Sequence, residues 1–165
     1  MTASAPTIPD SIPALAPQMT AWRHEIHAWP ELGFEEVKTS ALVIRELRAL
    51  GLDVHTGLGG TGVVAVVDSG APGLSIGLRA DMDALPMDEV ADARGELPYR
   101  SQRPGVAHTC GHDGHTSALL GTARHLVAHP PASGRVVLIF QPAEEGGRGA
   151  IRMIEDGLFA RWPCD

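Results

Sequence analysis

The chain has 165 residues, 44% apolar and 20% charged, with 20 Asp and Glu against 13 Lys and Arg for a formal net charge of -7. That is one domain of ordinary length with enough apolar residues for a core. The acidity and the 4% aromatic content exclude a nucleic-acid footprint of basic clusters or base-stacking platforms.

The opening stretch MTASAPTIPDSIPALAP is rich in Ala, Pro, Ser and Thr, and residues 1–15 read as a loose leader. It has neither the basic nor the continuous apolar region of a signal peptide. A helix is predicted over residues 16–28, ending at Trp29-Pro30 because the residue before a proline disfavours helix. A second helix spans 35–50, with Val37, Ala41, Ile44 and Leu47 on one face and Gly51 in the C-terminal cap position. Strands are predicted at 62–67 and 74–78, joined as a hairpin by the turn SGAPG at 69–73. Residues 87–107 are polar and irregular and read as a surface loop.

A third helix fits 116–129, with Leu119, Ala123, Leu126 and Val127 on one face and Pro130-Pro131 ending it. Residues 135–140, RVVLIF, form a continuously apolar strand of the kind found inside a sheet covered on both faces. A last helix fits 149–156, with Ile151 and Ile154 inward and Gly157 closing it. Strands alternating with helices predict an α/β sandwich. No stretch of 18 apolar residues offers a membrane span, and two cysteines are too few for a secreted disulfide framework. The expectation is a cytoplasmic protein with no membrane and no nucleic-acid partner.

Two motifs carry the chemistry. HTCGHDGHT at 108–116 packs Cys110, His112 and His115 around Asp113, and QPAEEG at 141–146 sets Glu144 and Glu145 directly after the apolar strand. Thiolate, imidazole and carboxylate bind divalent transition metals, and a spare carboxylate beside them can take a proton from water. Gly111 lets the backbone turn so that Cys110 and His112 face one point. An isolated Cys-x-His is more often a buried cysteine beside a capping histidine, and an isolated acidic pair more often decorates a helix N-terminus. Their combination favours a metal-dependent hydrolase. Asp81 and Asp83, in RADMDALP, follow the end of a predicted strand as the Glu pair does. Ligands of open α/β sheets gather at the carboxyl ends of strands, so these segments are expected to converge. Asp83 is placed to orient a ligand imidazole. His108 and His115 flank the motif and are candidates for substrate contact. His24, His27, His55, His125 and His129 are read as structural or solvent-facing.

RHEIHAWPELGFEE (23–36), LRADMDALP (78–86), HTCGHDGHT and QPAEEGGRGA (141–150) together resemble the M20 metallopeptidase superfamily. The closer likeness is to its amidohydrolase branch of hippurate hydrolases, N-acyl-amino-acid aminoacylases and auxin-conjugate hydrolases. The resemblance implies a zinc-peptidase-like three-layer α/β domain with a two-metal centre of Zn, Mn, Co or Ni. It further implies Cys110, His112 and Glu145 as metal ligands, Glu144 as general base and Asp83 as a supporting catalytic residue. Asp81 stands where related peptidases place a ligand histidine. The implied substrate is an N-acyl amino acid. Residues 16–165 match only the N-terminal part of such a catalytic domain. The remaining ligand histidines, the inserted ferredoxin-like domain and the closing strands of the family lie beyond it, so a homodimer is expected only of a full-length form. Two rival expectations stand beside this one. The first is a truncated, inactive metal-binding remnant. The second is a hydrolase with Cys110 as nucleophile and His112 or His115 as its base, a scheme that leaves the Glu pair without a role.

Overall fold

Apolar residues at consecutive positions along two strands build the middle of a four-stranded sheet. In the computed structural model, which describes residues 9, 11–91, 95 and 97–165, the elements are α1 (Ser11–Ala28), α2 (Val37–Ala49), β1 (Val54–Leu58), β2 (Gly62–Asp68), β3 (Ser75–Asp81), α3 (His112–Ala128), β4 (Arg135–Gln141), α4 (Gly149–Glu155) and α5 (Leu158–Arg161). The strand order is β1-β2-β4-β3. Successive side chains point to opposite faces. Val63, Ala65, Val67, Val136, Leu138 and Phe140 pack with Trp22, Val43, Leu47 and Leu120 of α1, α2 and α3. Val64, Val137 and Ile139 pack with Met153, Leu158 and Trp162 around α4 and α5. The result is a three-layer α/β arrangement with β4 buried on both faces, as its sequence predicted.

The predicted hairpin is not there. β2 and β3 lie on either side of β4, antiparallel and parallel to it respectively. A tight turn and two short apolar runs look alike whether the strands pair with each other or with a third strand inserted between them. The 69–73 turn survives, with Gly70 and Ala71 N–H groups donating to Asp68 and Ser69 side chains. Parallel pairing of β3 and β4 requires a long crossover, and α3 supplies it.

Other boundaries also move. Helix α1 begins at Ser11, so residues 11–15 of the expected leader are helical; residues 1–8 and 10 lie outside the described residues. Pro13 sits in its first turn, where a missing N–H costs nothing. α2 turns Thr39, Ser40, Leu42, Val43 and Leu47 inward and leaves Val37 exposed. α4 buries Met153 and exposes Ile151 and Ile154, the reverse of the expected face. β1 and α5 carry little apolar periodicity and were not predicted. Among the described residues no helix is long and apolar enough to cross a membrane.

The seam between α1 and α3 positions the Cys/His motif. Gly121 has no side chain, and a Cβ there would lie 2.6 Å from Met19 Sδ, so the helices approach closely at this point. At the head of the seam Asp113 is fully buried, and its Oδ2 accepts from Arg23 Nε at 3.0 Å and His27 Nδ1 at 2.8 Å. His27 Nε2 faces Glu89 Oε1 at 3.2 Å. Carboxylates only accept, so this setting favours the charged ring, in which both nitrogens donate. The bond to Asp113 raises its pKa against the opposing effect of burial. Its neighbour His108 behaves oppositely. The ring is 5% exposed, neither nitrogen has a hydrogen-bond partner among the described residues, and burial pushes its pKa down to about 4.

The two histidines therefore act on stability in opposite pH windows. His27, with a raised value, contributes stability that is present below the ordinary 6.5 and lost as pH rises through its folded pKa. His108, with a lowered value, costs stability as pH falls from 6.5 toward about 4, because the unfolded chain binds the proton first. Its share is on the order of 3 kcal/mol, at ~1.4 kcal/mol per pH unit between the two values. Urea unfolding between pH 4 and 8 checks this. His108→Gln should flatten the loss on the acid side, and His27→Gln the loss on the alkaline side. Identical pH slopes in wild type and His108→Gln would contradict the assignment.

Candidate metal and catalytic site

Three chain segments meet at one edge of the sheet. In the parallel register Asp81 lies opposite Gln141, so RADMDALP leaves β3 beside the point where QPAEEG leaves β4. The N-terminus of α3 enters between them. Gly111 takes φ +92, a left-handed conformation open to glycine, and His112 begins the helix on its far side. Cys110 and His112 are thus turned toward one point, as their spacing around Gly111 predicted.

His112 is the centre of the arrangement. It is 2% exposed, and its Nδ1 lies 2.8 Å from the main-chain carbonyl of Asp83. A carbonyl oxygen cannot donate, so Nδ1 carries the proton. In the neutral ring the Nε2 lone pair is then free. Nε2 faces Asp81 Oδ1 at 3.6 Å, Glu145 Oε1 at 3.7 Å and Glu144 Oε2 at 3.8 Å. Burial disfavours the charged ring, yet the Asp83 hydrogen bond and the Asp81 charge raise its pKa overall. A cation bound at Nε2 would displace that second proton.

Two groups of potential ligand atoms share His112, each with all atoms within 4.8 Å of one another: Cys110, His112 and Glu145; and Asp81, His112 and His115. The first has the thiolate, imidazole and carboxylate mixture that suits Zn and similar ions. Cys110 is exposed, and the adjacent Glu145 carboxylate, accepting from its S–H, pushes the thiol pKa up. The second group is already spoken for in part. Asp81 Oδ1 accepts from His115 Nδ1 at 2.7 Å and its Oδ2 pairs with Arg79 Nη1 at 3.0 Å. Arg79 in turn donates to Gln141 Oε1 at 2.7 Å, tying the ends of β3 and β4 together.

Asp83 is 2% exposed and serves the site twice. Its carbonyl fixes the His112 tautomer, and its Oδ2 accepts the Glu145 N–H at 2.9 Å. Burial would raise its pKa, but the His112 bond and the Glu145 and Glu144 N–H groups bring it below the ordinary value. It therefore stays ionised without solvent. Glu144 and Glu145 differ in exposure. The Glu145 side chain is 24% exposed and the Glu144 side chain 41%.

Of the expected site residues, Cys110, His112, Glu144, Glu145 and Asp83 are all brought together, and Asp81 and His115 join them. His108 does not: it is buried behind the motif, in the α1–α3 seam. Sequence reasoning missed the carboxylates of Glu31 and Glu36, both buried in the PELGFEE segment. The one signal available was three acidic residues, Glu31, Glu35 and Glu36, in a motif that matched the family pattern.

The comparisons with known proteins agree with this geometry. The chain is 50% identical over 143 residues to a hippurate hydrolase of Campylobacter jejuni, covering 87% of this chain and 36% of that protein. It is 47% identical over 142 residues to an IAA-amino acid hydrolase of Arabidopsis thaliana, covering 85% and 31%. It therefore spans about a third of the length of the curated relatives it matches. Among solved structures, a Bacillus subtilis protein described as a dinuclear metal binding peptidase from the M20 family superposes with a TM-score of 0.81 at 36% identity, over 89% of this chain and 40% of that one. A profile of peptidase family M20/M25/M40 matches residues 77–165, the half that holds most of β3, both motifs and the whole candidate site. By that match and by the site it covers, the chain belongs to the M20 peptidase family.

Proposed function

We propose that this chain forms the N-terminal part of the catalytic domain of a metal-dependent amidohydrolase that cleaves N-acyl amino acids to a carboxylate and a free amino acid. The observation that carries the reading is the His112 imidazole, whose Nδ1–H is committed to the Asp83 carbonyl while Nε2 faces three carboxylates. Such an arrangement prepares a nitrogen ligand and leaves unbalanced negative charge where a divalent cation would sit. The names of the relatives, a hippurate hydrolase and an IAA-amino acid hydrolase, support an acylated amino acid as substrate.

Cys110, His112 and Glu145 would hold the metal, with two ions per site in a full-length, dimeric protein. Zn, Mn, Co or Ni all suit this mixture of donors. When bound, the metal supplies Lewis-acid polarisation of the amide carbonyl and lowers the pKa of water. Glu144, outside the ligand set and the more exposed of the pair, takes the proton from the attacking water at its carboxylate. It then returns that proton to the leaving amine nitrogen. Asp83 keeps His112 in one tautomer and holds the Glu145 backbone. Cys110 as a nucleophile fits poorly. A nucleophilic thiol needs a lowered pKa, and the Glu145 carboxylate moves this one the other way.

Cys110→Ala and His112→Ala should each lose metal affinity by more than the roughly 10- to 100-fold that removing an outer partner of a ligand costs. Metal content after dialysis measures it, and unchanged stoichiometry in both variants would contradict the ligand assignment. In a full-length protein, Glu144→Gln should keep its metal while hydrolysis of N-benzoylglycine drops by about 100- to 10,000-fold. Glu145→Gln should lose metal together with rate. Near-normal turnover in Glu144→Gln would refute the base assignment.

A further inference from the structure

Glu36 stands at the N-terminus of α2, where a carboxylate ordinarily caps the helix, yet it makes no cap bond. That task falls to Glu31, whose oxygens accept from the Lys38 and Thr39 N–H groups, each at 2.9 Å. The Glu36 side chain turns inward and is fully buried. One oxygen accepts from the Thr61 hydroxyl at 2.5 Å, and the other from the Ala143 N–H at 2.8 Å, across 107 residues of sequence. Burying a carboxylate is costly unless it is hydrogen-bonded, and here both oxygens are.

The peptide it holds is an unusual one. Ala143 has φ +48, a left-handed conformation that costs a residue with a side chain roughly 1–2 kcal/mol. The turn leaves no slack around it. A Cβ on Gly33 would lie 2.9 Å from Ala143 Cβ, and one on Gly147 would lie 2.6 Å from it. Ala143 immediately precedes Glu144. On the other side, the Glu145 N–H is held by Asp83. Two buried carboxylates from distant parts of the chain therefore clamp the backbone on either side of Glu144, whose own side chain is largely free.

We propose that Glu36 is a positioning residue for Glu144: through the Ala143 amide it fixes the turn that aims the base at the site. The proposal rests on the reading of Glu144 as general base. Among the described residues, the Glu36 side chain bonds to Thr61 and Ala143 and belongs to neither ligand group. A carboxylate misplaced by about 1 Å loses on the order of 100-fold in rate, which sets the expected effect.

The test compares Glu36→Ala, Glu36→Gln, Glu144→Gln and the Glu36→Ala/Glu144→Gln double variant in the full-length protein with N-benzoylglycine. Glu36→Ala should lower kcat by about 100-fold with KM and zinc affinity unchanged. Glu36→Gln keeps an oxygen for the Ala143 N–H and should recover most of the rate. The double variant should be no slower than Glu144→Gln alone, because both changes disable one device. Thr61→Val, which removes the other anchor of Glu36 without opening a cavity, should show a smaller loss with the same non-additivity, and serves if Glu36→Ala fails to fold. In the 165-residue chain, hydrogen exchange at the Ala143 amide should quicken in Glu36→Ala and stay slow in Glu36→Gln. Full kcat in folded Glu36→Ala, or losses that multiply in the double variant, would overturn the positioning role and leave the base assignment intact. Retained turnover in Glu144→Gln alone would overturn the base assignment and this inference with it.

Discussion

The parallel, in-register pairing of β3 with β4 is the constraint on which the site depends. It sets Asp81 opposite Gln141, so two acidic segments far apart in sequence leave the sheet side by side. Parallel strands need a crossover, and the crossover helix α3 begins at the same end of the sheet with His112. One pairing thus delivers the carboxylates, the imidazole and the thiol together. β4 can hold that position because residues 136–141 are buried, with layers of helix on both faces.

Around that frame the protein uses buried carboxylates as anchors for backbone. Glu31 caps α2, Glu36 holds Ala143, Asp83 holds Glu145, and Asp113 ties α3 to α1 through His27 and Arg23. A buried carboxylate accepting N–H bonds is directional and stiff, whereas apolar contacts tolerate sliding. Among the described residues, the three non-glycines with positive φ, Phe34, Ala143 and Arg148, all belong to the segments joined at this turn. Strain of this kind persists only where the surroundings over-determine the conformation. Here the surroundings are the close approach of Gly33 and Gly147 to Ala143 and the stacking of Arg152 on Phe34, 4.2 Å from the ring centroid.

The electrostatic logic follows. Asp81, Asp83, Glu144 and Glu145 lie within one small region; Arg79 pairs with Asp81, and His112 lies 3.3 Å from Asp83. The anchors hold the backbone that carries these carboxylates, so the remaining negative charge stays concentrated at this end of the sheet. It raises the pKa of His112 and of Cys110, so a cation binding at either group competes with a proton. Metal affinity in such a site is coupled to proton release.

Much of this was legible in the residues. Periodicity located α2, α3, β2 and β4, because local hydrophobic pattern reflects which face of an element is covered. The Cys-Gly-His spacing announced its geometry, since glycine at a tight reversal has few other purposes. Strand order was not legible: the insertion of β4 between β2 and β3 depends on which edges are free when the chain collapses, and a turn of five residues does not encode it. The inward face of α4 was misread because Met153, between two isoleucines, is chosen by the floor of the sheet rather than by hydrophobicity. The roles of His27, Asp113 and Glu36 were likewise invisible. A charged residue reads as solvent-facing in sequence, and only the partner brought to it by folding, 86 residues away for His27 and 107 for Glu36, turns it into a buried anchor.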